Sequence, residues 1–211
     1  MTEYGNPKAG TVLIQMVDDH DPNGLKSEVD EIRRLTDTDF YLIALRVKSW
    51  NNDLSPWKAP PVFGKEGFGG GAADTLSGVL KYTEDRSRAW YIGGYSLAGL
   101  FALWSAYRTD VFKGVAAASP SIWFPGFTDY MRNNTINAGS VYLSLGDKEA
   151  KAGNPLLASV EDRIREAHDL LKEEGIDTIL EFNPGNHFKD ADIRTARAFA
   201  WVMERSGGRL P

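Results

Sequence analysis

A chain of 211 residues with 42% apolar and 11% aromatic content is long enough to bury one sizeable core and is composed like a globular protein. Its net charge of −5 excludes the basic face that nucleic-acid binding requires, and no apolar run reaches the length of a membrane-spanning helix. The absence of cysteine excludes disulfides, thiolate catalysis and cysteine-held zinc. The N-terminal Met1-Thr2-Glu3-Tyr4-Gly5-Asn6-Pro7 lacks the basic flank and apolar stretch of a signal peptide, so a cytoplasmic protein is expected.

Apolar runs and amphipathic stretches alternate along the chain. Thr11–Val17 reads as a buried strand. Ser27–Leu35 reads as a helix with Val29, Ile32 and Leu35 at near three-residue spacing, opened by a capping-box-like Ser27-Glu28-Val29-Asp30. Phe40–Val47 is a second strand and Ala72–Tyr82 a helix. Ala89–Gly93 is a third strand, running into a helix at Leu100–Tyr107. Gly114–Ala118 and Ser140–Leu145 are the fourth and fifth strands. Asn154-Pro155 opens a long helix to Glu174, with Asn154 as N-cap and Gly175 as its stop. Thr178–Phe182 is the sixth strand and Asp192–Arg205 the last helix. This alternation predicts an α/β fold: a doubly wound, mostly parallel six-stranded sheet with helices on both faces, forming a single domain over 1–211.

The turn between the third strand and its helix, Gly94-Tyr95-Ser96-Leu97-Ala98-Gly99, carries the chemistry. A serine on a tight strand-to-helix turn is a nucleophile elbow, where strained backbone demands small neighbours. Ala98 stands where the G-x-S-x-G pattern has its second glycine. A serine needs a base to take its proton, and histidine is the usual one. Of three histidines, His168 falls inside a helix. His20 follows the first strand, where it is expected to touch substrate. His187, in Asn183-Pro184-Gly185-Asn186-His187-Phe188, lies after the last strand and before the last helix, where a base can reach Ser96. A carboxylate must orient that imidazole. The loop Gly146-Asp147-Lys148-Glu149 supplies Glu149, the preferred acid, and Asp147, the alternative. Serine, acid, histidine is the α/β-hydrolase chain order.

An oxyanion hole is expected from the amide of Leu97 and that of Asp19 or Asp18. Two long connections, Lys48–Gly71 and Ser119–Ala138, follow strands and are rich in aromatics, Phe63 among them. Trp50, Trp57 and Trp123, with Tyr95 and His20, are expected to form the substrate wall. Phe68-Gly69-Gly70-Gly71 is read as a turn before a helix, since no P-loop lysine follows it. The histidines are single and scattered, so no metal and no cofactor are expected.

With elbow, acid loop and His187 in order, the chain resembles a compact α/β-hydrolase without a separate cap domain. Ser119-Pro120-Ser121-Ile122-Trp123-Phe124, Gly-Asp-Lys-Glu and Gly-Asn-His-Phe are similar to segments of the esterase D and enterobactin-esterase-like branch. The resemblance implies a serine esterase acting on a small-molecule ester, with no nucleic-acid or membrane partner. An acyltransferase using the same residues and a non-catalytic binding protein are the alternatives. The oligomeric state is not legible.

Overall fold

The computed structural model describes residues 1–18, 22–62 and 64–205. Strands β1 (Thr2–Gly5), β2 (Thr11–Val17), β3 (Phe40–Arg46), β4 (Lys58–Ala59), β5 (Phe68–Gly69), β6 (Ala89–Tyr95), β7 (Phe112–Ala118), β8 (Ser140–Gly146) and β9 (Asp177–Asn183) alternate with helices. These are α1 (Pro22–Leu35), α2 (Trp50–Asp53), α3 (Ala72–Leu80), α4 (Leu97–Arg108), α5 (Phe127–Arg132), α6 (Pro155–Ala158), α7 (Val160–Glu173) and α8 (Ala191–Glu204).

The main sheet runs β1-β3-β2-β6-β7-β8-β9. It has seven strands rather than the six expected. The extra one, β1, pairs antiparallel with β3, and all other neighbours are parallel. Its residues are mostly exposed, so no run or alternation of apolar residues marks it. β4 and β5 form a separate antiparallel pair inside the first long connection.

Parallel strands covered on both faces alternate between two cores. Val12, Ile14 and Met16 of β2 join the core shared with α3, α4 and α7; Leu13 joins the core under α1 and α8. Helix α4 is apolar around its whole circumference and buried from Leu97 to Tyr107. The two long connections pack as aromatic clusters: Trp57 meets Phe124, Phe127 and Tyr130, and Phe68 meets Trp123 and Phe124. The Phe68-Gly69-Gly70-Gly71 run, expected to be a turn, forms the short strand β5 at Phe68–Gly69, and only Gly70-Gly71 turn into α3. Its glycines make room for α2, since a Cβ on Gly69 would collide with the side chain of Asn52.

Two helix boundaries differ from expectation. Helix α1 opens at Pro22, a residue suited to a first helical turn, so Ser27 is interior and the capping box is not one. The long helix after Asn154 is broken into α6 and α7 at Ser159, whose hydroxyl donates back to the Leu156 carbonyl at 2.7 Å. Its N-terminus is as expected: Asn154 Oδ1 accepts from the Leu156 amide at 2.9 Å.

Candidate active site

The strand order puts the ends of β2, β6, β7 and β8 side by side, and the site lies at that edge. Ser96 joins β6 to α4 with φ +58° and ψ −123°, in the positive-φ region that L-residues rarely occupy. Surrounding contacts hold it there. Its amide donates to the Ala118 carbonyl at 3.1 Å, and its carbonyl accepts from the amides of Leu100 and Ser121. Gly94 has no space for a side chain: a Cβ there would lie 2.7 Å from the methyl of Ala98. The departure from glycine at position 98 is therefore accommodated by the glycine at 94, and Ala98 is fully buried. A Cβ on Gly99 would lie 2.9 Å from the Gly94 carbonyl, so the helix packs as closely as its glycine allows.

The loop between β9 and α8 brings His187 over this turn. Its Nε2 lies 2.9 Å from Ser96 Oγ, and its Nδ1 lies 2.7 Å from Glu149 Oε2. With Nδ1 protonated, the ring donates to the carboxylate and accepts from the serine hydroxyl. Glu149 sits in the 3-10 turn Glu149–Lys151 after β8 and is almost fully buried. Its Oε1 accepts from Ser119 Oγ at 2.8 Å, the Gly146 amide at 2.7 Å and Arg194 Nη1 at 3.1 Å. Burial alone would raise its pKa; the hydrogen bond and charge of His187, the Gly146 amide and the Ser119 hydroxyl outweigh that, and the net shift is downward. Gly146 must be glycine here, because a Cβ would lie 2.9 Å from the Glu149 carboxylate and 2.5 Å from the Gly185 carbonyl.

Asp147, the alternative acid, turns to the same loop but not to the ring. Its Oδ1 accepts from the Gly185 amide at 2.8 Å, while the Lys148 amide donates to the Gly185 carbonyl at 3.1 Å. The two acids divide the work of holding one loop: Glu149 takes the imidazole and Asp147 the backbone.

Three participants, Arg194, Ser119 and Ser121, are given no role by the sequence, and Tyr95 takes a second one. Arg194 of α8 is 1% exposed. Its Nη1 reaches Glu149, Ser119 Oγ (3.2 Å) and Tyr95 Oη (3.0 Å), and its Nη2 reaches the carbonyls of Pro184 and Asn186, both at 3.3 Å. Ser119, at φ +40°, presents its hydroxyl to Glu149. Ser121 Oγ lies 3.3 Å from Ser96 Oγ. Tyr95 lines the cleft as expected but also donates its hydroxyl to the His187 carbonyl at 2.8 Å. An arginine in an amphipathic helix reads as a solvated charge, and only the inward register of α8 distinguishes it.

The cleft beside Ser96 has a volume of about 310 Å³ and is lined by Trp50, Tyr95, Asp18, Gln15, Glu28 and Asp192, among others. Trp57 and Trp123 do not line it. Trp57 Nε1 donates to the Pro125 carbonyl at 3.0 Å within its aromatic cluster, and Trp123 is buried against Phe68, so both pack loops onto the domain. Leu97 opens α4, where the first amides have no intrahelical acceptor. Asp18 directly follows β2, which pairs with β6, and lines the same cleft as Ser96. Asp19, His20 and Phe63 lie outside the described residues. Among the described residues, no group of three or more His, Cys, Asp and Glu side chains is placed to hold a metal ion, and no helix is long and apolar enough to cross a membrane.

Comparison with solved structures places this architecture. An IroE-like serine hydrolase from Shewanella oneidensis superposes with a TM-score of 0.69 at 16% identity, over 93% of this chain and 71% of that one. A siderophore hydrolase from Aspergillus nidulans gives 0.65 at 20% identity, over 94% and 83%. A ferulic acid esterase gives 0.64 at 14% identity, over 93% and 85%. The fold is that of an α/β-hydrolase. At these identities the likeness is one of fold, as the sequence motifs implied. No protein-family model and no curated protein sequence matches the chain. An α/β-hydrolase fold hosts many chemistries, so the reaction must be argued from the side chains.

Proposed function

We propose that the protein is a serine hydrolase that cleaves carboxylic esters through an acyl-enzyme on Ser96. The observation that carries this reading is the continuous hydrogen-bonded chain from Ser96 Oγ to His187 Nε2 and from His187 Nδ1 to Glu149. As Ser96 attacks the ester carbonyl, its proton passes to His187 Nε2, and Glu149 stabilises the imidazolium. The C–O bond to the alcohol breaks as His187 returns the proton to the departing oxygen. Water then attacks the acyl carbonyl as His187 takes its proton, the acyl C–O bond to Ser96 breaks to release the acid, and His187 returns the proton to Ser96 Oγ.

The oxyanion is assigned to the Leu97 amide and to a second amide after β2, at Asp18 or Asp19. The position of Leu97 at the start of α4 supports the first, since the helix terminus also favours negative charge. The solved structures with this architecture include hydrolases and esterases, which supports the same class. The cleft suits a small ester, with Trp50 and Tyr95 as its wall. A small-molecule substrate, with no nucleic-acid or membrane partner, is part of this proposal.

The test is hydrolysis of p-nitrophenyl acetate with single variants. Ser96→Ala is expected to lower kcat by about 10³-fold or more, and native protein to be labelled by a fluorophosphonate while the variant is not. Unlabelled native protein, or a fully active variant, overturns the reading. Ester products formed with added alcohol would reassign the acceptor from water to alcohols.

A further inference from the structure

The cleft has a second polar centre that ester cleavage does not use. Gln15 lies on β2 and Glu28 on α1, and they are 6% and 4% exposed. Gln15 Nε2 donates to Glu28 Oε2 at 3.1 Å. The other oxygen of each, Gln15 Oε1 and Glu28 Oε1, is buried with no hydrogen-bond partner among the described residues. Both residues nonetheless line the cleft that Ser96 and Tyr95 line. Buried acceptors are almost always satisfied; once Glu28 is ionised, these two oxygens are unmet acceptors at the wall of a substrate cleft, and a ligand that brings the donors satisfies them.

We propose that Gln15 and Glu28 form a subsite for a primary ammonium group on the non-reacting end of the ester. This rests on the ester-hydrolase reading above. An ammonium offers three N–H donors from one small centre, enough to meet both oxygens. A hydroxyl offers one. Charge argues the same way. Asp18, directly after β2, and Asp192 from α8 line the cleft with Glu28, against Arg46 from β3; Tyr4 of β1 and Tyr95 of β6 are the other titratable groups that line it among the described residues. An anionic end group would meet that carboxylate field and be rejected.

Glu28 adds a proton readout. Burial first, then the field of Asp192, push its pKa to about 8, against the opposing hydrogen bond from Gln15. Near neutral pH the empty site therefore holds the carboxyl protonated. An arriving ammonium supplies the missing counter-charge, so Glu28 ionises and one proton goes to the solvent.

Butylammonium and 1-butanol, titrated calorimetrically into the full-length protein at pH 7 in buffers of different ionisation enthalpy, form the test. Butylammonium is expected to bind at least ten-fold more tightly than butanol, with release of a proton. Glu28→Gln and, independently, Gln15→Met are expected to bring the preference within two-fold, and the second variant keeps the test open if the first does not fold. Equal binding of the two probes, or a preference unchanged in both variants, overturns the subsite. Hydrolysis of p-nitrophenyl acetate is read in parallel. Turnover without an ammonium preference removes the subsite alone. A preference with no turnover leaves the subsite and removes the ester-hydrolase reading on which its substrate assignment rests.

Discussion

Two glutamates of this molecule are both buried, Glu28 the more deeply, and their protons behave in opposite ways. Glu149 receives Ser119, Gly146 and Arg194 on one oxygen and His187 on the other, and its pKa falls. Glu28 receives Gln15 on one oxygen and, among the described residues, no donor on the other, and its pKa rises to about 8. Burial alone does not decide the protonation of a carboxyl; the number and charge of the donors aimed at it do. A fully supplied carboxylate is a fixed part, whereas a half-supplied one is ready to receive a ligand.

The strongest way to break the comparison is to remove the supplied carboxylate. Glu149→Ala is expected to lower kcat for p-nitrophenyl acetate by about 10² to 10⁴-fold, because His187 loses its orienting partner and the stabiliser of its imidazolium. Asp147→Ala should reduce kcat far less, since that side chain holds backbone and not the ring; equal losses would erase the distinction between the two acids. Next is the donor side. Arg194→Met strands a buried carboxylate and the carbonyls of Pro184 and Asn186. Unfolding in urea should occur with about 3–5 kcal/mol less stability.

The unsupplied carboxylate is tested by pH. Glu28 has a folded pKa near 8 against an unfolded value of 4.5, so the folded state holds its proton the more tightly. Its contribution to stability is full below pH 4.5, declines as the unfolded carboxyl ionises, and is lost by about pH 8, a fall of several kcal/mol. Glu149 has the opposite sign: its lowered pKa contributes stability above pH 4.5 that is lost as the pH falls through the folded value. Urea midpoints at pH 6 and pH 9 should therefore differ less in Glu28→Gln than in the native protein; identical slopes would remove Glu28 from the account. The smallest effect sharpens the elbow. Gly94→Ala should destabilise by about 1–3 kcal/mol through its collision with Ala98, and the double variant Gly94→Ala/Ala98→Gly should recover part of that loss.

Much of the fold was legible, because buried parallel strands are apolar throughout and helices with one buried stripe repeat at 3.6 residues. The exposed β1 has neither signature. The junction at Ser159 was hidden because its cause is one side chain turning back on its own helix. At the site, chain order pointed to Ser96, His187 and an acid at Glu149 or Asp147, and the structure brings Glu149 to the ring. Arg194, Ser119 and the pair Gln15–Glu28 were invisible for a common reason. Arg194 and Glu28 are charges on amphipathic helices, Gln15 is a lone polar residue in the apolar β2, and Ser119 is a loop residue after β7; each reads as solvated or idle, and only the third dimension gives it a partner. The aromatic wall was overdrawn because tryptophan marks burial as well as binding: Trp50 reaches the cleft, while Trp57 and Trp123 are loop ballast.

The hydroxyl of Tyr95, directly before Ser96 in the chain, grips the main chain at His187, 92 residues later. Ser96 and His187, the attacker and proton acceptor of the proposed reaction, are thus mounted on one strut, which is itself clasped by Arg194. Shearing them apart requires undoing the central strand's own grip, so catalytic competence should vanish together with the sheet on heating, and not as an earlier, separate melting of the loop.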